Sequence, residues 1–262
     1  MADIYVGDCA KIMQENIKDG SVSLTVTSPP YDNLRKYGGK SSWSFDVFSN
    51  IANQLYRVTM DGGVIVWITA DATVKGSETG TSFKQALYFI DIGFNLHDTM
   101  IYAKKCPMPL NHNRYEQQFE YMFVISKGKP KTFNPLKEPC KGSGKVVKKR
   151  THRKTGEELI TFTTSSGPIK SERFRYNIWY AQHAPFQDPF RGEHPAPFPR
   201  DLAEDLIFSW SNEGDIVLDP FAGSGTTLAA AEKLGRKSIG IEINEEYIPL
   251  IQRKLDLYKK AC

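Results

Sequence analysis

Residues 216–227 read IVLDPFAGSGTT, an apolar strand that runs into a turn with two glycines and then into a helix. Gly223 and Gly225 let the backbone approach a ligand closely and adopt dihedral angles that other residues resist. A phosphate-binding loop would need a lysine after the glycines, and a dinucleotide-binding fold would need a third glycine. This turn has neither. The remaining ligand is an adenosyl group, although two-glycine turns also occur as plain structural loops.

An acidic residue follows the glycine turn at the tip of the next strand. Residues 237–243 read KSIGIEI, and Glu242 stands near the end of this apolar run. In nucleotide-binding folds with this strand–turn–helix–strand pattern, an acid at that tip accepts hydrogen bonds from the ribose hydroxyls. The turn and the acid together predict an adenosyl site more specifically than the turn alone.

Strands and helices alternate through most of the chain. A strand at 21–28 ends at two prolines, and a helix at 47–60 leads through a turn at 61–63 into the apolar strand 64–70. Further helices are predicted near 82–92, 200–211 and 226–234 and at the end of the chain, and further strands near 96–104, 119–126 and 237–243. This alternation predicts an α/β, Rossmann-like fold: a mostly parallel sheet with helices on both faces.

The composition of the sequence changes between residues 128 and 185. This stretch is rich in Lys, Gly, Ser, Thr and Pro, and no long periodic element is visible in it. The run from Lys127 to Lys154 has Glu138 as its only acid and could neutralise several phosphates, although a solvated basic loop is the plainer explanation of such a run alone. We therefore predict a small inserted lobe, with divisions at 1–127, 128–185 and 186–262.

Composition narrows the class of protein. The chain has 262 residues, 40% of them hydrophobic and 24% charged, with a net charge of +4, which suits one globular α/β domain. We expect neither a signal peptide nor a membrane span. The histidines lack metal-ligand spacing, so we expect no metal site. The scattered cysteines favour free thiols in a reducing cytosol; they are Cys9, Cys106, Cys140 and Cys262.

A second motif, Thr27-Ser28-Pro29-Pro30-Tyr31, follows an apolar strand directly. The prolines fix the backbone and remove two amide donors, so the segment presents the Ser28 hydroxyl and the Pro29 carbonyl as acceptors. Two acceptors that hold the hydrogens of an exocyclic amino group would free the nitrogen lone pair for attack, and Tyr31 would stack on an extruded base. A proline-rich turn with a packed tyrosine is the structural alternative.

Together these motifs resemble the DNA amino-methyltransferases of the β arrangement, in which the catalytic motif precedes the cofactor motif. The resemblance spans nearly the whole chain except about 128–185. Its segments, in the family's order, are IYVGDC (4–9), TSPPY (27–31), MIYAKKCPMPLNHNRYEQQFEYMFVISKG (100–128), HPAPFPRDLAEDLI (194–207) and DPFAGSGTT (219–227).

The resemblance implies a cofactor, a substrate and a division of the chain. The cofactor would be S-adenosyl-L-methionine, and the substrate double-stranded DNA whose target base is flipped out. Residues 1–127 would form the catalytic half, 128–185 the target-recognition region and 186–262 the cofactor-binding half. The family also implies, for many of its members, a homodimer.

The resemblance assigns site residues by their place in the motifs. Asp8 would reach the adenine of the cofactor, Glu242 the ribose, and Phe221 would pack against the adenosine. Catalytic residues would be Ser28, Pro29, Pro30 and Tyr31. Cofactor contacts would come from Asp8, His194, Pro195, Phe198, Asp219, Pro220, Phe221, Gly223, Gly225, Thr226, Thr227 and Glu242. DNA contacts, whether to bases or phosphates, would come from Lys148, Lys149, Arg150, Arg153, Arg173 and Arg175.

The first residue of the catalytic motif bears on the target base. Serine, as in Ser28, is typical of cytosine-N4 enzymes, and HPAPFP resembles that group more than the adenine enzymes. We therefore favour cytosine N4, with adenine N6 as the alternative because a hydroxyl accepts the same amino hydrogen as a carboxylate.

The order of the motifs argues against RNA or protein-amide substrates, and the intact catalytic positions argue against a non-catalytic module. The recognition sequence and a partner restriction endonuclease stay open. We expect a cytoplasmic protein of bacterial, archaeal or phage origin.

Overall fold

The chain folds into two compact units. In the computed structural model, one unit comprises Met1–Asn134 and Asn177–Cys262, and the other comprises Pro135–Tyr176. The structure describes residues 2–30, 43–105, 114–155, 158–181, 189–190, 192–195 and 198–259, and for 147–155 and 158–167 it describes the backbone alone.

The described residues contain fourteen strands, six α-helices and a short 3-10 helix at Glu245–Tyr247. The strands are β1 (Ala2–Val6), β2 (Val22–Thr27), β3 (Thr59–Thr69), β4 (Thr73–Val74), β5 (Ser77–Glu78), β6 (Asn95–Lys104), β7 (Phe119–Ser126), β8 (Lys137–Pro139), β9 (Val146–Thr155), β10 (Glu158–Pro168), β11 (Glu172–Phe174), β12 (Ile178–Ala181), β13 (Ile216–Asp219) and β14 (Lys237–Glu242). The helices are α1 (Cys9–Asn16), α2 (Phe45–Val58), α3 (Thr81–Asp91), α4 (Arg200–Trp210), α5 (Thr226–Lys233) and α6 (Ile248–Lys259).

An eight-stranded sheet forms the centre of the first unit, in the order β1-β14-β13-β2-β3-β7-β6-β12. All neighbouring strands run parallel except the two pairs that involve β7, which is antiparallel to β3 and β6. The mostly parallel sheet predicted from the alternating pattern is therefore confirmed.

Helices cover both faces of this sheet. Helices α1, α2 and α3 pack together on one side, and α4, α5 and α6 pack together on the other. Strand β14 shows the alternation: Ile239 and Ile241 belong to the core beneath α1 and α2, whereas a Cβ at Gly240 would collide with Leu228 of α5. A glycine at 240 therefore lets α5 lie directly on the strand.

The join between α2 and β3 differs from the prediction. Ser44 caps α2 by accepting a hydrogen bond from the Val47 amide at 3.2 Å, and β3 begins at Thr59, before the predicted turn at 61–63. The register with β2 shifts between Val22 and Leu24, so the glycines form a bulge inside the strand rather than a turn before it. The predicted strand 64–70 is the buried end of β3.

The second unit contains strands where the sequence showed no periodic element. Strands β9 and β10 pair antiparallel, with Arg150 opposite Thr163 and Arg153 opposite Ile160, and β8 pairs with β11. No long element was visible in the sequence because basic residues stand at consecutive positions of β9, at 148–150 and at 153–154, and hide the period of two that marks a strand. The compact unit is also narrower than 128–185, and β12 joins the large sheet beside β6. None of the described helices is long and apolar enough to span a membrane.

Candidate active site

The catalytic and cofactor motifs meet at one edge of the large sheet. Strands β2 and β13 are parallel neighbours, so the segments that follow Thr27 and Asp219 leave the sheet at the same carboxyl edge. The Thr27 hydroxyl donates a hydrogen bond to Asp219 Oδ1 at 2.7 Å, although the two residues are 192 positions apart in the chain. This bond ties the start of the Ser28-Pro29 segment to the start of the glycine turn.

Asp219 is a buried carboxylate that organises the turn after it. It is 5% exposed, and Oδ1 also accepts the Phe221 amide at 3.1 Å. Burial raises the pKa of Asp219 to about 6, against hydrogen bonds from Thr27, Thr227 and the Phe221 amide that lower it. The contacts therefore make Asp219 an internal tie of the loop, a function that the motif alone did not reveal.

Glu242 ends β14 beside the same turn. Its Oε2 accepts a hydrogen bond from the Gly223 amide, and its Oε1 accepts one from the Asn244 amide, each at 2.8 Å. Burial raises the pKa of this carboxyl. The Ile243 amide also hydrogen-bonds this carboxyl, so three amides use three of its roughly four acceptor positions and leave about one. An acceptor position beside a glycine turn fits a ribose hydroxyl.

The segment that contains Asp8 reaches this edge through β1. The Gly7 amide donates to the Glu242 carbonyl at 2.9 Å, which places the end of β1 beside the end of β14. Asp8 itself is exposed and caps α1, because its Oδ1 accepts the Lys11 amide at 2.9 Å. The capping function was missed in the sequence, where an Asp immediately before a helix is its ordinary indication.

The two glycines of the turn have different reasons to be glycine. Gly223 (φ +51°) lies under His194, and an added Cβ would be 3.0 Å from His194 Nε2. Gly225 (φ +79°) begins α5, and an added Cβ would be 2.8 Å from Ile251 Cγ2 in α6. Gly225 is therefore also required by the packing of α5 on α6, and its predicted contact with a ligand stays a prediction.

His194 and Phe221 lie beside the glycine turn and pack against different residues. The His194 ring is 9% exposed and meets Tyr247 edge-to-face at 4.7 Å between centroids. Phe221 is half-buried and contacts Trp43 and Trp67 at 5.7 and 6.3 Å, within the core beneath α1 and α2. Of the other predicted cofactor residues, Pro220, Thr226 and Thr227 are buried, Phe198 is half-buried and Pro195 is exposed.

The catalytic tetrapeptide begins where β2 ends. Ser28 and Pro30 are half-buried and Pro29 is buried, next to the β3 position where Thr27 pairs with Trp67. Tyr31 lies outside the described residues, so its predicted stacking function stays a prediction.

A buried lysine, which no motif in the sequence singled out, lies behind the glycine turn. Lys254 of α6 is 2% exposed, and its Nζ donates to Ser224 Oγ at 2.9 Å and to Thr226 Oγ1 at 3.0 Å. Its position on the apolar face of α6, between Ile251 and Leu255, was the available indication that it is buried.

The predicted DNA-contacting residues all lie in the second unit. Arg173 and Arg175 are exposed, and Arg173 already pairs with Glu138 at 2.6 Å and stacks over Tyr176 at 3.9 Å. The backbone of Lys148, Lys149, Arg150 and Arg153 lies in β9, and their side chains lie outside the described part of the chain.

Comparison with known proteins defines the class. The N6/N4 model of the DNA methylase family matches residues 22–253. The orphan methyltransferase M.BamHII of Bacillus amyloliquefaciens is 50% identical over 252 residues, which cover 94% of this chain and 93% of that protein. The crystal structure of an M1.HpyAVI–SAM complex is 26% identical, with a TM-score of 0.65 over 98% of this chain and 100% of that chain.

A third similarity concerns the fold alone. The cytosine-N4-specific PvuII DNA methyltransferase has a TM-score of 0.69 at 19% identity, over 99% of this chain and 92% of that chain. The chain therefore belongs to the N6/N4 DNA methylase family and is an S-adenosylmethionine-dependent DNA methyltransferase. The family covers both adenine and cytosine amino groups, so membership leaves the base undecided.

Proposed function

We propose that this enzyme methylates the N4 amino group of cytosine within a specific sequence of double-stranded DNA. The hydrogen bond from Thr27 to Asp219 carries the proposal, because it holds the amino-accepting segment and the cofactor turn at one edge of the sheet. Ser28 at the head of the motif, together with HPAPFP at 194–199, supports cytosine over adenine.

The residues at this edge fit S-adenosylmethionine, which when bound supplies a methyl group on a positively charged sulfur. Glu242 would accept a hydrogen bond from the ribose with its remaining acceptor position, and Asp8 would face the adenine. The turn from Asp219 to Thr227, with His194, Pro195 and Phe198, would surround the amino-acid end. Pro220 and Phe221 would shape the adenosine side.

Catalysis would rest on acceptors rather than on a covalent nucleophile. The Ser28 hydroxyl and the Pro29 carbonyl would hold the amino hydrogens of the flipped base, so that the nitrogen lone pair faces the methyl group, and Pro30 and Tyr31 would bound the base. Burial and the neighbouring Asp8 charge raise the pKa of Cys9 to about 12. Cys9 is therefore a protonated thiol at neutral pH, which suits a direct transfer without an enzyme–base bond.

The second unit would bind the DNA around the target. In β9, positions 148, 150, 152 and 154 lie on one face of the ladder opposite Ser165, Thr163, Thr161 and Leu159. The other face carries Lys149 and Arg153 together with Ile160 and Phe162. A two-stranded ribbon fits the major groove, and its polar, basic face is the one suited to phosphates and base edges. Lys149, Arg153, Arg173 and Arg175 would supply outer contacts.

The biological setting follows from the substrate and the relatives. Because the substrate is DNA, we expect the enzyme in the cytoplasm of a bacterium, an archaeon or a phage-infected cell. The name of the 50% identical relative, an orphan methyltransferase, supports a function without a cognate endonuclease. We expect a homodimer by family resemblance, and light scattering of the purified enzyme tests this expectation.

Analysis of nucleosides from living cells tests the base. The enzyme is expressed in cells that lack other DNA methyltransferases, and their DNA is digested and examined by mass spectrometry, with the Ser28→Ala variant as control. N4-methylcytosine with wild type and much less of it with the variant is the expected result. N6-methyladenine would replace the cytosine proposal by the adenine alternative. If neither modified base is found, even with purified enzyme and varied DNA, the result would contradict the proposed transfer.

A further inference from the structure

A buried cation fastens the glycine turn from behind. Lys254 is 2% exposed, and the hydroxyls to which it donates, those of Ser224 and Thr226, are 4% and 3% exposed. The two hydroxyl oxygens lie 3.3 Å from each other, so one ammonium group holds both.

Fold stability alone is a poor explanation for this lysine. Taking an ammonium group out of water is costly, and a buried charged pair is often no more stabilising than apolar side chains of similar volume, so burial of a charge is weak evidence for a stabilising function. The surrounding face of α6 is apolar, with Leu250, Ile251 and Leu255 all buried. A methionine at 254 would continue that face, so the charge is better explained by the loop that it holds.

The loop is held at two points on different elements. On β14, the Glu242 carboxylate accepts the Gly223 amide, and on α6, Lys254 binds the side chains of the residues on either side of Gly225. Glycines at two of these positions make the backbone permissive, so the fastening has to come from neighbours. An ammonium group only donates hydrogen bonds, so Lys254 binds the hydroxyl oxygens and cannot bind the first amides of α5, which have no acceptor inside the helix and suit an anionic ligand.

We propose that Lys254 is a positioning residue for the cofactor: it holds Ser224 and Thr226 so that the glycine turn keeps the conformation that accepts S-adenosylmethionine. This inference rests on the proposed placement of the cofactor at the turn. Lys254 acts through the two hydroxyls and does not itself touch the cofactor.

Cofactor titration without DNA tests the inference. In Lys254→Met the turn must become ordered on binding, and ordering about one residue corresponds to roughly tenfold weaker affinity. The KM for the cofactor should rise by the same factor while turnover at saturation stays within about twofold. The thermal midpoint without cofactor should stay within about 3 °C of wild type or rise. Lys259→Met, an exposed lysine of the same helix that pairs with Glu232, is the matched control and should change nothing.

A second variant tests whether the effect passes through the hydroxyls. Ser224→Ala removes one acceptor, and combined with Lys254→Met it should weaken binding no further than Lys254→Met alone, because both changes remove one contact. Additive losses would overturn the mechanism.

The remaining outcomes separate this inference from the placement of the cofactor. Unchanged cofactor affinity in Lys254→Met, or a loss of affinity with a large fall of the thermal midpoint, overturns the positioning function. If Glu242→Gln loses affinity while Lys254→Met does not, only this inference fails. If neither variant loses affinity, the proposed placement of the cofactor fails with it.

Discussion

The carboxyl edge of the large sheet and the second unit use their charged residues in opposite ways. At the edge, Asp219, Glu242 and Lys254 are buried, and each is bonded to the glycine turn or its neighbours. In the second unit, Arg173 and Arg175 are exposed on a surface rich in lysine. Charges at the edge therefore bond to the protein itself, whereas Arg173 and Arg175 lie at the surface, where we propose that they also meet the DNA. Substitutions at the edge should alter folding, cofactor binding or turnover, and substitutions in the second unit should alter DNA binding.

The largest effect expected at the edge concerns the chemical step. Ser28→Ala removes one acceptor for the amino hydrogens and should lower turnover by about 10²–10³-fold, the usual magnitude for one preorganised hydrogen-bonding group. Cofactor affinity should not change, because Ser28 belongs to the base side of the edge. Single-turnover methyl transfer and a cofactor titration measure the two quantities, with Ser23→Ala of the same strand as control. Wild-type turnover in Ser28→Ala would remove Ser28 from catalysis.

Close packing of the turn should appear as lost stability. Gly225→Ala places a Cβ 2.8 Å from Ile251 Cγ2 at a positive φ, whereas Gly214→Ala has a similar φ of +84° and nothing within 4 Å. The backbone alone should cost about 1–2 kcal/mol in both variants, and overpacking should add about 1–3 kcal/mol at Gly225. Urea unfolding measures both free energies. Equal losses would show that α6 has room to yield.

The buried carboxylate should give the edge a characteristic pH dependence. Because the pKa of Asp219 rises from 3.8 in the unfolded chain to about 6 in the folded one, the folded state binds the extra proton between these values. Stability should therefore fall as pH rises from about 4 to about 6, by up to about 3 kcal/mol for this residue. Asp219→Asn should lose that fall. Urea unfolding at several pH values compares the two proteins, and parallel curves would contradict the burial argument.

The smallest effects are expected in the second unit and separate the two faces of its ribbon. Lys148→Gln/Arg150→Gln and Lys149→Gln/Arg153→Gln remove the same charges from opposite faces of β9. The first pair should weaken DNA binding about tenfold and reduce the salt slope by up to about 2, and the second pair should have less than half that effect. DNA titrations at several salt concentrations measure this. Equal effects would show that both faces, or neither, meet the DNA.

The sequence predicted secondary-structure elements and motifs better than it predicted the contacts between them. The amphipathic spacing of α2 and the apolar run of β3 are local features, and so is the glycine turn before α5. The bond between Thr27 and Asp219 depends on β2 and β13 being neighbours, which no local pattern encodes. Lys254 escaped notice because a lysine on a helix is ordinarily solvated.

The second unit shows a different limit. In its hairpin, consecutive Lys and Arg residues in β9 and a run of Thr and Ser in β10 hide the period of two that marks a strand. Asp8 shows that a motif does not list every function of a residue, since the structure reveals a helix cap while the cofactor contact stays a prediction.

The central claim is that cofactor binding and DNA binding belong to separate regions of this enzyme. The most direct test is a pair of dissociation constants, for S-adenosylmethionine and for DNA, measured on Glu242→Gln and on Lys148→Gln/Arg150→Gln. We predict that Glu242→Gln weakens cofactor binding about tenfold or more with nearly wild-type DNA affinity, and that the second variant does the reverse. Loss of both affinities in both variants, or unchanged cofactor affinity in Glu242→Gln, would contradict this division.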